Sequence, residues 1–207
     1  DAMNCLTLKK VAQSPLHAQH ELVNPSEPSA AFVIGDAFHG LVLEPERFTA
    51  EYALGLDRGK RTKADKEAWE EWLVEHPDQT ALKPEDWEAV HAMREAVLDH
   101  PTAAEIMGGE GQNELTMVWQ DPTTETLCKG RTNRLTTLRG ESVIADLKST
   151  IDASPEGWGR SSARFLYHCQ AAWYLAGANE LAPLERRFLF ICCEKKAPYG
   201  VTVQELN

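Results

Sequence analysis

The segment best suited to chemistry is the run VIADLKST at residues 143–150. It places an acid, Asp146, and a lysine, Lys148, two positions apart among mainly aliphatic residues. Because side chains alternate along a strand, both project from the same face. A charged pair on an apolar strand costs free energy unless it faces a polar site. The spacing therefore indicates either a reactive centre or a partly buried ion pair at the end of a strand.

Two preceding strands are predicted to bring further polar groups to this pair. The strand at 127–138 contains Asn133, and a turn at 139–140 would form a hairpin that sets Asn133 beside Asp146 near one sheet edge. Glu114 opens the strand before that one. A carboxylate, a lysine and an amide gathered in this way form the kind of cluster that holds a hard cation beside a phosphate.

The helix predicted after this strand, over 163–176, adds two polar residues. Gln170 and Tyr174 are four residues apart, so they share one helix face. Either they belong to the same cluster or they form an ordinary polar helix face.

The elements that must position these residues change character halfway along the chain. Apolar periodicity and proline positions predict helices at 6–13, 30–43, 64–75 and 84–100, with a loop at 24–29. Alternation and turn signals predict strands at 114–120, 127–138, 142–150, 187–194 and 201–206. This order predicts an α+β or mixed α/β fold in one domain, with residues 1–110 mainly helical and residues 111–207 forming the sheet core.

Composition narrows the function classes. The 207 residues are 43% apolar and 26% charged, as in ordinary globular proteins. No apolar run approaches the ~20 residues of a membrane span, and no basic-then-apolar leader opens the chain, so we expect neither membrane insertion nor secretion. A net charge of -11 disfavours coating nucleic acid with the whole surface, but it allows a local basic groove. The five cysteines include no C-x-x-C pair, which suits a reduced cytoplasm and gives no sign of a zinc or iron–sulfur site.

The ordered motifs resemble the PD-(D/E)XK nuclease superfamily, and more closely the RecE-type exonucleases of phages and prophages, which are relatives of lambda exonuclease. The resemblance covers nearly the whole chain. The matching segments are 14–17 (SPLH), 35–39 (GDAFH), 43–45 (LEP), 61–62 (RT), 129–131 (KGR), 146–150 (DLKST), 167–174 (YHCQAAWY) and 194–198 (EKKAP). D-L-K alone would be weak evidence, but the ordered set is specific. The resemblance implies a nuclease core with a central mixed sheet flanked by helices.

The resemblance also implies roles for individual residues. Asp146 is similar to the family's metal-binding acid, and Lys148 to the catalytic lysine that orients or activates the attacking water. His39 is similar to the helical histidine that adds a metal ligand, although a lone histidine on an apolar helix is more often a core residue. Gln170 and Tyr174 are similar to the motif that supports the site and the scissile strand.

Two positions fit the family pattern less closely. Glu114 resembles a metal-linked acid about as well as it resembles a solvated acid at a strand end. Asn133 stands where the family has aspartate, and a neutral amide removes one negative charge from a Mg²⁺ shell, which would weaken cleavage. We interpret Asn133 as an aspartate-to-asparagine substitution of the kind made to trap DNA, with a natural inactive homologue as the alternative.

Basic residues near these motifs are candidates for DNA contacts. The candidates are Arg58, Lys60, Arg61 and Lys63 in one loop, and Arg131, Arg160 and Arg164 flanking the predicted site. The alternative for both groups is a solvated charged surface, and it carries more weight for the loop than for the three arginines.

Taken together, the resemblance implies a cytoplasmic 5′→3′ exonuclease that uses Mg²⁺, with Mn²⁺ as a substitute, on the ends of linear double-stranded DNA. It would leave 3′ single-stranded tails for a single-strand annealing recombinase of the RecT type. Related exonucleases form rings around DNA, so a homo-oligomer is implied. Two other functions stay open: a RecB-like or CRISPR-associated repair nuclease, whose iron–sulfur forms need four cysteines, and a non-catalytic DNA-end-binding module, which Asn133 favours.

Overall fold

A computed structural model describes residues 2–24, 29–59 and 61–205. The first half forms α1 (Cys5–Gln13), α2 (Pro15–Val23), α3 (Ala30–Leu43), α4 (Pro45–Glu51), β1 (Tyr52–Leu54), α5 (Lys63–Glu75), β2 (Thr80–Leu82), α6 (Pro84–Asp99) and α7 (Pro101–Gly108). The second half forms β3 (Gly111–Gln120), β4 (Leu127–Leu138), β5 (Glu141–Thr150), α8 (Pro155–Phe165), α9 (Tyr167–Leu181), β6 (Arg186–Glu194) and β7 (Val201–Glu205). The mixed α/β class predicted from the sequence is confirmed.

Local capping chemistry sets the helix boundaries that the sequence predicts. The side chain of Asn4 accepts a hydrogen bond from the Thr7 amide at the start of α1. Thr62 and Asp65 form a reciprocal capping box at the start of α5. Each of these contacts satisfies amide groups that the first turn of a helix leaves unpaired. The predicted helices α1, α3, α5 and α6 are therefore confirmed to within one residue at each end.

The main sheet has the strand order β3-β4-β5-β6-β7, so β5 is its central strand. β3, β4 and β5 form an antiparallel meander, whereas β6 lies parallel to β5 and β7 antiparallel to β6. The β4–β5 hairpin closes between Leu138 and Glu141, and both turn residues, Arg139 and Gly140, have positive φ. This is the two-residue turn that suits the right-handed strand twist, as predicted.

Two apolar cores cover the two faces of this sheet. Val143, Ala145 and Leu147 of β5 are fully buried in the core that includes α3, α6 and α7. Ile144 points to the opposite face and joins the second core, which includes α8 and α9. By the same alternation, Asp146 and Lys148 lie on the α9 face. The central strand is therefore apolar on both faces except where these two charges lie.

The single helix predicted over 163–176 is wrong. Leu166 adopts a left-handed conformation, with φ 54°, and separates α8 from α9. The Phe165 carbonyl, at the end of α8, accepts a hydrogen bond of 2.8 Å from Lys9 Nζ on α1. A lysine that reaches a terminal helix carbonyl stabilises the helix end. This contact joins residues 156 positions apart, so the local apolar pattern carries no signal for it.

Other differences concern elements that were not predicted and one strand boundary. The helices α2, α4 and α7, each beginning at a proline that the sequence pattern assigns only to the end of the preceding helix, were not predicted. β3 begins at Gly111, so Glu114 lies inside the strand and does not open it. The parallel pair of β1 and β2 was not predicted, because three-residue strands are too short to show a period. Of the loop expected at 24–29, residues 25–28 lie outside the described residues. None of the described helices has both the length and the apolar character needed to cross a membrane.

Two isoleucine substitutions test the placement of the core. Ile144→Ala removes a fully buried side chain from β5, and we expect it to lower the free energy of unfolding by about 2–5 kcal/mol. Ile151→Ala makes the same change just after β5, where the side chain is 92% exposed, and should change stability by less than about 0.5 kcal/mol. Chemical denaturation measures both values. Similar losses for the two variants would contradict the described burial.

Candidate active site

Three polar residues form a row across β3, β4 and β5. The β3–β4 ladder pairs Asn113 with Arg134 and Leu115 with Thr132, which sets Glu114 opposite Asn133. The β4–β5 ladder pairs Arg134 with Ala145, which sets Asn133 opposite Asp146. The juxtaposition predicted from the sequence is thus observed, but at the middle of the sheet, where β4 separates from β5.

Asp146 is a buried carboxylate with two neighbours. Its side chain is 3% exposed, and Oδ1 accepts a hydrogen bond of 2.7 Å from Gln170 Nε2 on α9. Oδ2 lies 2.6 Å from Lys148 Nζ, an ion-pair contact. Apart from this ion pair, Oδ2 has no hydrogen-bond partner among the described residues. A carboxylate oxygen has two lone pairs, so Oδ2 can also accept a cation or a donor from a bound ligand.

Asn133 links the two acids of the row. Its Oδ1 accepts a hydrogen bond of 2.9 Å from the Leu147 amide, and its Nδ2 donates one of 2.9 Å to Glu114 Oε1. An aspartate at this position would keep the first contact and replace the second by repulsion between carboxylates. Both polar groups of the Asn133 amide are therefore hydrogen-bonded without any metal ion.

Glu114 is also the inner end of a chain of ion pairs. Its Oε2 lies 2.7 Å from Arg131 Nε, and Arg131 reaches Glu44 at 3.4 Å. Glu44 in turn lies 3.4 Å from Arg47, which holds Asp36 of α3 at 2.8 Å. Burial raises the pKa of Glu114, while the contacts with Asn133 and Arg131 oppose that shift. The chain ties β3 and β4 to α3 and α4 beside the site.

His39 of α3 approaches β5 from the opposite face of the sheet. Its ring keeps some accessible surface, yet protein atoms surround it closely. This burial lowers the pKa of His39 to about 4, and the charge of Lys148 acts in the same direction. The Leu147 backbone and Asp146 are also near enough to influence it. The imidazole is therefore neutral near pH 7, the form that ligates metals.

Aromatic side chains bound the site on the α9 side. Lys148 Nζ lies 4.8 Å from the centre of the Tyr167 ring. Tyr174 packs so closely against Gly130 of β4 that a Cβ there would lie 2.9 Å from the ring. Burial raises the pKa of Tyr174, and Gln170 hydrogen-bonds to its side chain. The K-G-R motif thus needs glycine because α9 presses an aromatic ring against the strand.

The donors at this site are fewer than a preformed divalent-cation site needs. Among the described residues no three His, Cys, Asp or Glu side chains form a group that could hold a metal ion, so Asp146, Glu114 and His39 do not converge on one point. Asn133, in the middle of the row, adds an amide and no charge. A divalent cation at the Asp146 carboxylate would therefore take most of its other ligands from water or from a phosphate, as Mg²⁺ commonly does.

The predicted DNA-contacting residues divide by position. Arg131 lies in the ion-pair chain, and Arg160 and Arg164 lie on α8, beside Lys148. Arg58 lies in the connection between β1 and α5, where its carbonyl accepts from Trp69 Nε1. Lys63 contacts Glu67 at 3.6 Å. Among the described residues, Arg58, Arg61 and Lys63 do not contact the site, and Lys60 lies outside the described residues.

Some residues of the site received no role from sequence reasoning. Glu44 and Asp36 belong to the matching segments LEP and GDAFH, so the motif was visible, but their ion pairs were not. Lys9 and Tyr167 likewise lie in helices that were predicted for other reasons. A search for i,i+3 polar pairs on α3 would have found Asp36 with His39.

The sheet topology and the position of the acid–lysine pair together identify the fold class of this domain. A mixed sheet with helices on both faces, and an acid–lysine pair on its central strand, is the arrangement of PD-(D/E)XK-type domains. Residues 5–207 match the family described as "PDDEXK-like domain of unknown function (DUF3799)". The chain belongs to this family.

Comparison with other proteins supports the fold. No curated protein matches the sequence. The crystal structure named "Putative exonuclease" from Eubacterium rectale aligns with a TM-score of 0.63 and 12% identity, over 100% of this chain and 73% of that chain. At this identity the likeness shows the fold alone. The structure of SSO0001 aligns with a TM-score of 0.35 and 12% identity, over 98% of this chain and 75% of that chain, and carries no argument. The superfamily expectation is confirmed, whereas the RecE-type assignment stays a prediction.

Position 133 is expected to control whether the stability of the protein responds to divalent cations. In EDTA, Asn133→Asp replaces an amide donor by a charge facing Glu114, and should lower the free energy of unfolding by about 1–3 kcal/mol. Mn²⁺ should restore stability by neutralising the acids, with Tm rising by about 2–4 °C per kcal/mol regained. Thermal unfolding of the variant and the unchanged chain, in EDTA and in MnCl₂, measures this difference.

Asn179→Asp is the matched control. Asn179 is exposed on α9, so the variant adds the same charge away from the row. Its Tm should not respond to Mn²⁺. An equal response of the two variants would show that position 133 is not part of a metal site.

Proposed function

We propose that this protein is a divalent-metal-dependent nuclease of the exonuclease type, acting on the ends of linear double-stranded DNA. The observation that supports this most directly is the buried Asp146–Lys148 pair beside Asn133 and Glu114, on a PDDEXK-like fold. A buried carboxylate that can bind a cation, and an ammonium 2.6 Å from it that can contact a phosphate, place the two charges together. Metal-assisted phosphodiester hydrolysis uses both.

Each residue has a proposed task. Asp146, with His39 and the side chain at position 133, would hold Mg²⁺ or Mn²⁺, and Glu114 would stand behind position 133. When bound, such an ion supplies Lewis-acid polarisation of the phosphate and a more acidic water.

Other residues act on the water and the phosphate, or on Asp146 itself. Lys148 Nζ would orient the attacking water and offset the charge that develops on the phosphate oxygens. Gln170 holds Asp146 Oδ1, so that Oδ2 stays directed towards Lys148.

Asn133 is proposed to weaken this activity. Its amide offers no negative charge, and its Oδ1 is already engaged by the Leu147 amide. Replacement of a metal-binding group or its support typically costs 10–100-fold in metal affinity or activity. An aspartate-to-asparagine substitution made to trap DNA remains our interpretation, and a natural inactive homologue remains the alternative.

The finer parts of the proposal rest on the resemblance to RecE-type exonucleases. They are 5′→3′ polarity, production of 3′ tails, a RecT-like annealing recombinase as partner, a homo-oligomeric ring and a cytoplasmic location. Arg160 and Arg164 line the same groove as Lys148, and Arg131 contacts Glu114 of the row, so these three residues would contact a DNA strand bound at Lys148. Arg58, Lys60, Arg61 and Lys63 would contact the duplex farther from the site.

The second candidate is a non-catalytic DNA-end-binding module. The observation that favours it is the pair of hydrogen bonds made by Asn133, which completes the row without a cation. In such a protein the basic residues would bind DNA in a salt-sensitive manner while no bond is broken.

Digestion of linear and covalently closed duplex DNA with Mg²⁺ distinguishes the two candidates. We expect Asn133→Asp to degrade the linear DNA and to leave the closed DNA intact, while the unchanged chain is slower by about 10–100-fold or more. Strands labelled at the 5′ or 3′ end report polarity, since 5′→3′ digestion releases the 5′ label first. Adding Lys148→Met to Asn133→Asp should abolish cleavage, and thermal unfolding in MnCl₂ checks that the double variant stays folded.

Asn179→Asp again serves as the charge-matched control and should not gain activity. If neither the unchanged chain nor Asn133→Asp cuts linear DNA, yet both bind its ends, the nuclease proposal is wrong and the binding module is correct.

A further inference from the structure

A groove opens beside Lys148, on the side away from Glu114. It lies between the end of β5, the connection to α8, and α8 itself, and has a volume of ≈ 580 Å³. Lys148 lines one end of it, and Arg160, Phe165 and Lys195 line its walls. We call it the Lys148 groove. Its size is that of a small-ligand pocket, so a duplex does not fit within it, whereas a short run of unpaired nucleotides does.

The charge of the Lys148 groove is opposite to that of the whole chain. Its described lining includes four cations, Lys148, Arg160, Arg164 and Lys195, against one acid, Asp152. Arg160 contacts Asp152 at 3.3 Å, with 74% of its side chain exposed. Among the described residues no acid lies within ion-pair distance of Arg164 or Lys195. In a protein of net charge -11, this local excess of cations favours a polyanionic ligand.

Apolar groups lie among these cations. Phe165 is 49% exposed, and the Arg164 guanidinium lies 5.3 Å from its ring centre. Deeper in the wall, Trp158 is 3% exposed and stacks on Tyr167, with ring centres 5.1 Å apart. The Trp158 Nε1–H is buried and has no hydrogen-bond partner among the described residues. The exposed Phe165 ring and the cations of the groove, rather than the buried Trp158 indole, suit a ligand with both flat faces and anionic oxygens.

We propose that the Lys148 groove binds single-stranded DNA, with Phe165 stacking on a base while Arg164 and Lys195 contact the backbone. Proteins that hold unpaired strands combine a basic groove with aromatic stacking in this way. A duplex offers no free base face for Phe165. The inference rests on the proposed function for its position beside the scissile phosphate, but it concerns binding and requires no cleavage.

Fluorescence anisotropy of the full chain in EDTA tests this proposal, with a labelled oligothymidylate of eight nucleotides and a blunt hairpin duplex as probes. We expect Phe165→Ala to weaken binding of the oligothymidylate by about 5-fold or more, the range of one lost base stack, and to change duplex binding by less than about 2-fold. Phe165→Trp should bind the oligothymidylate as the unchanged chain does, because it keeps an aromatic face. Arg164→Gln should weaken binding of the oligothymidylate and reduce its salt dependence.

Two matched controls remove similar groups elsewhere. Phe32→Ala acts on an exposed phenylalanine of α3, and Arg139→Gln on an arginine of the β4–β5 turn. Neither substitution should change the affinity for the oligothymidylate. The proposal would be overturned if Phe165→Ala bound the oligothymidylate as well as the unchanged chain does, or if Phe32→Ala lost as much binding. It would also be overturned if the unchanged chain did not bind the oligothymidylate at low salt.

Failure of this inference is distinguishable from failure of the proposed function. Cleavage by Asn133→Asp without Phe165-dependent binding of the oligothymidylate would contradict only the proposed strand binding in the Lys148 groove. Phe165-dependent binding without cleavage would support strand binding in the groove and contradict only the proposed nuclease activity.

Discussion

A carboxylate buried at the centre of a sheet is the constraint on which the rest of the site depends. Asp146 lies on the central strand with 3% of its side chain exposed, where an unpaired charge would cost several kcal/mol. Lys148 on the same strand and Gln170 on α9 offset that cost. α9 must therefore pack at a fixed distance from this face of the sheet. The close contact between Tyr174 and Gly130 sets that distance.

The same constraint explains the neighbours of Asp146. Glu114 and position 133 lie in its row, so an aspartate at 133 would put three carboxylates side by side with little water to screen them. A cation or a neutral amide relieves that repulsion, and this chain has the amide. Arg131 and the ion pairs behind it hold Glu114 from the other side. The hydrogen bonds of the row thus form without a metal ion, and Oδ2 of Asp146 faces the ammonium of Lys148.

The two sides of the site differ in their charged and aromatic residues. Towards β3, carboxylates and arginines alternate in a chain of ion pairs that reaches α3 and α4. Towards α8, cations exceed acids and the Phe165 ring is exposed. The acid-rich side suits a cation and the basic side suits a phosphate chain, so the placement of Lys148 at their boundary is consistent with chemistry on a phosphodiester.

Local pattern determined the helices α1, α3, α5 and α6, the strands β3 to β7 and the β4–β5 turn, because caps, prolines and side-chain alternation act within a few residues. It also placed Asp146, Lys148 and Asn133 side by side, since strand alternation and hairpin register are local rules. Only the tertiary structure decided the break at Leu166, which accompanies a contact from Lys9 of α1, and the ion pair by which Arg131 of β4 reaches Glu44 at the start of α4. These two contacts join residues 156 and 87 positions apart in sequence. No local period encodes which residues will meet when the two cores close on the sheet.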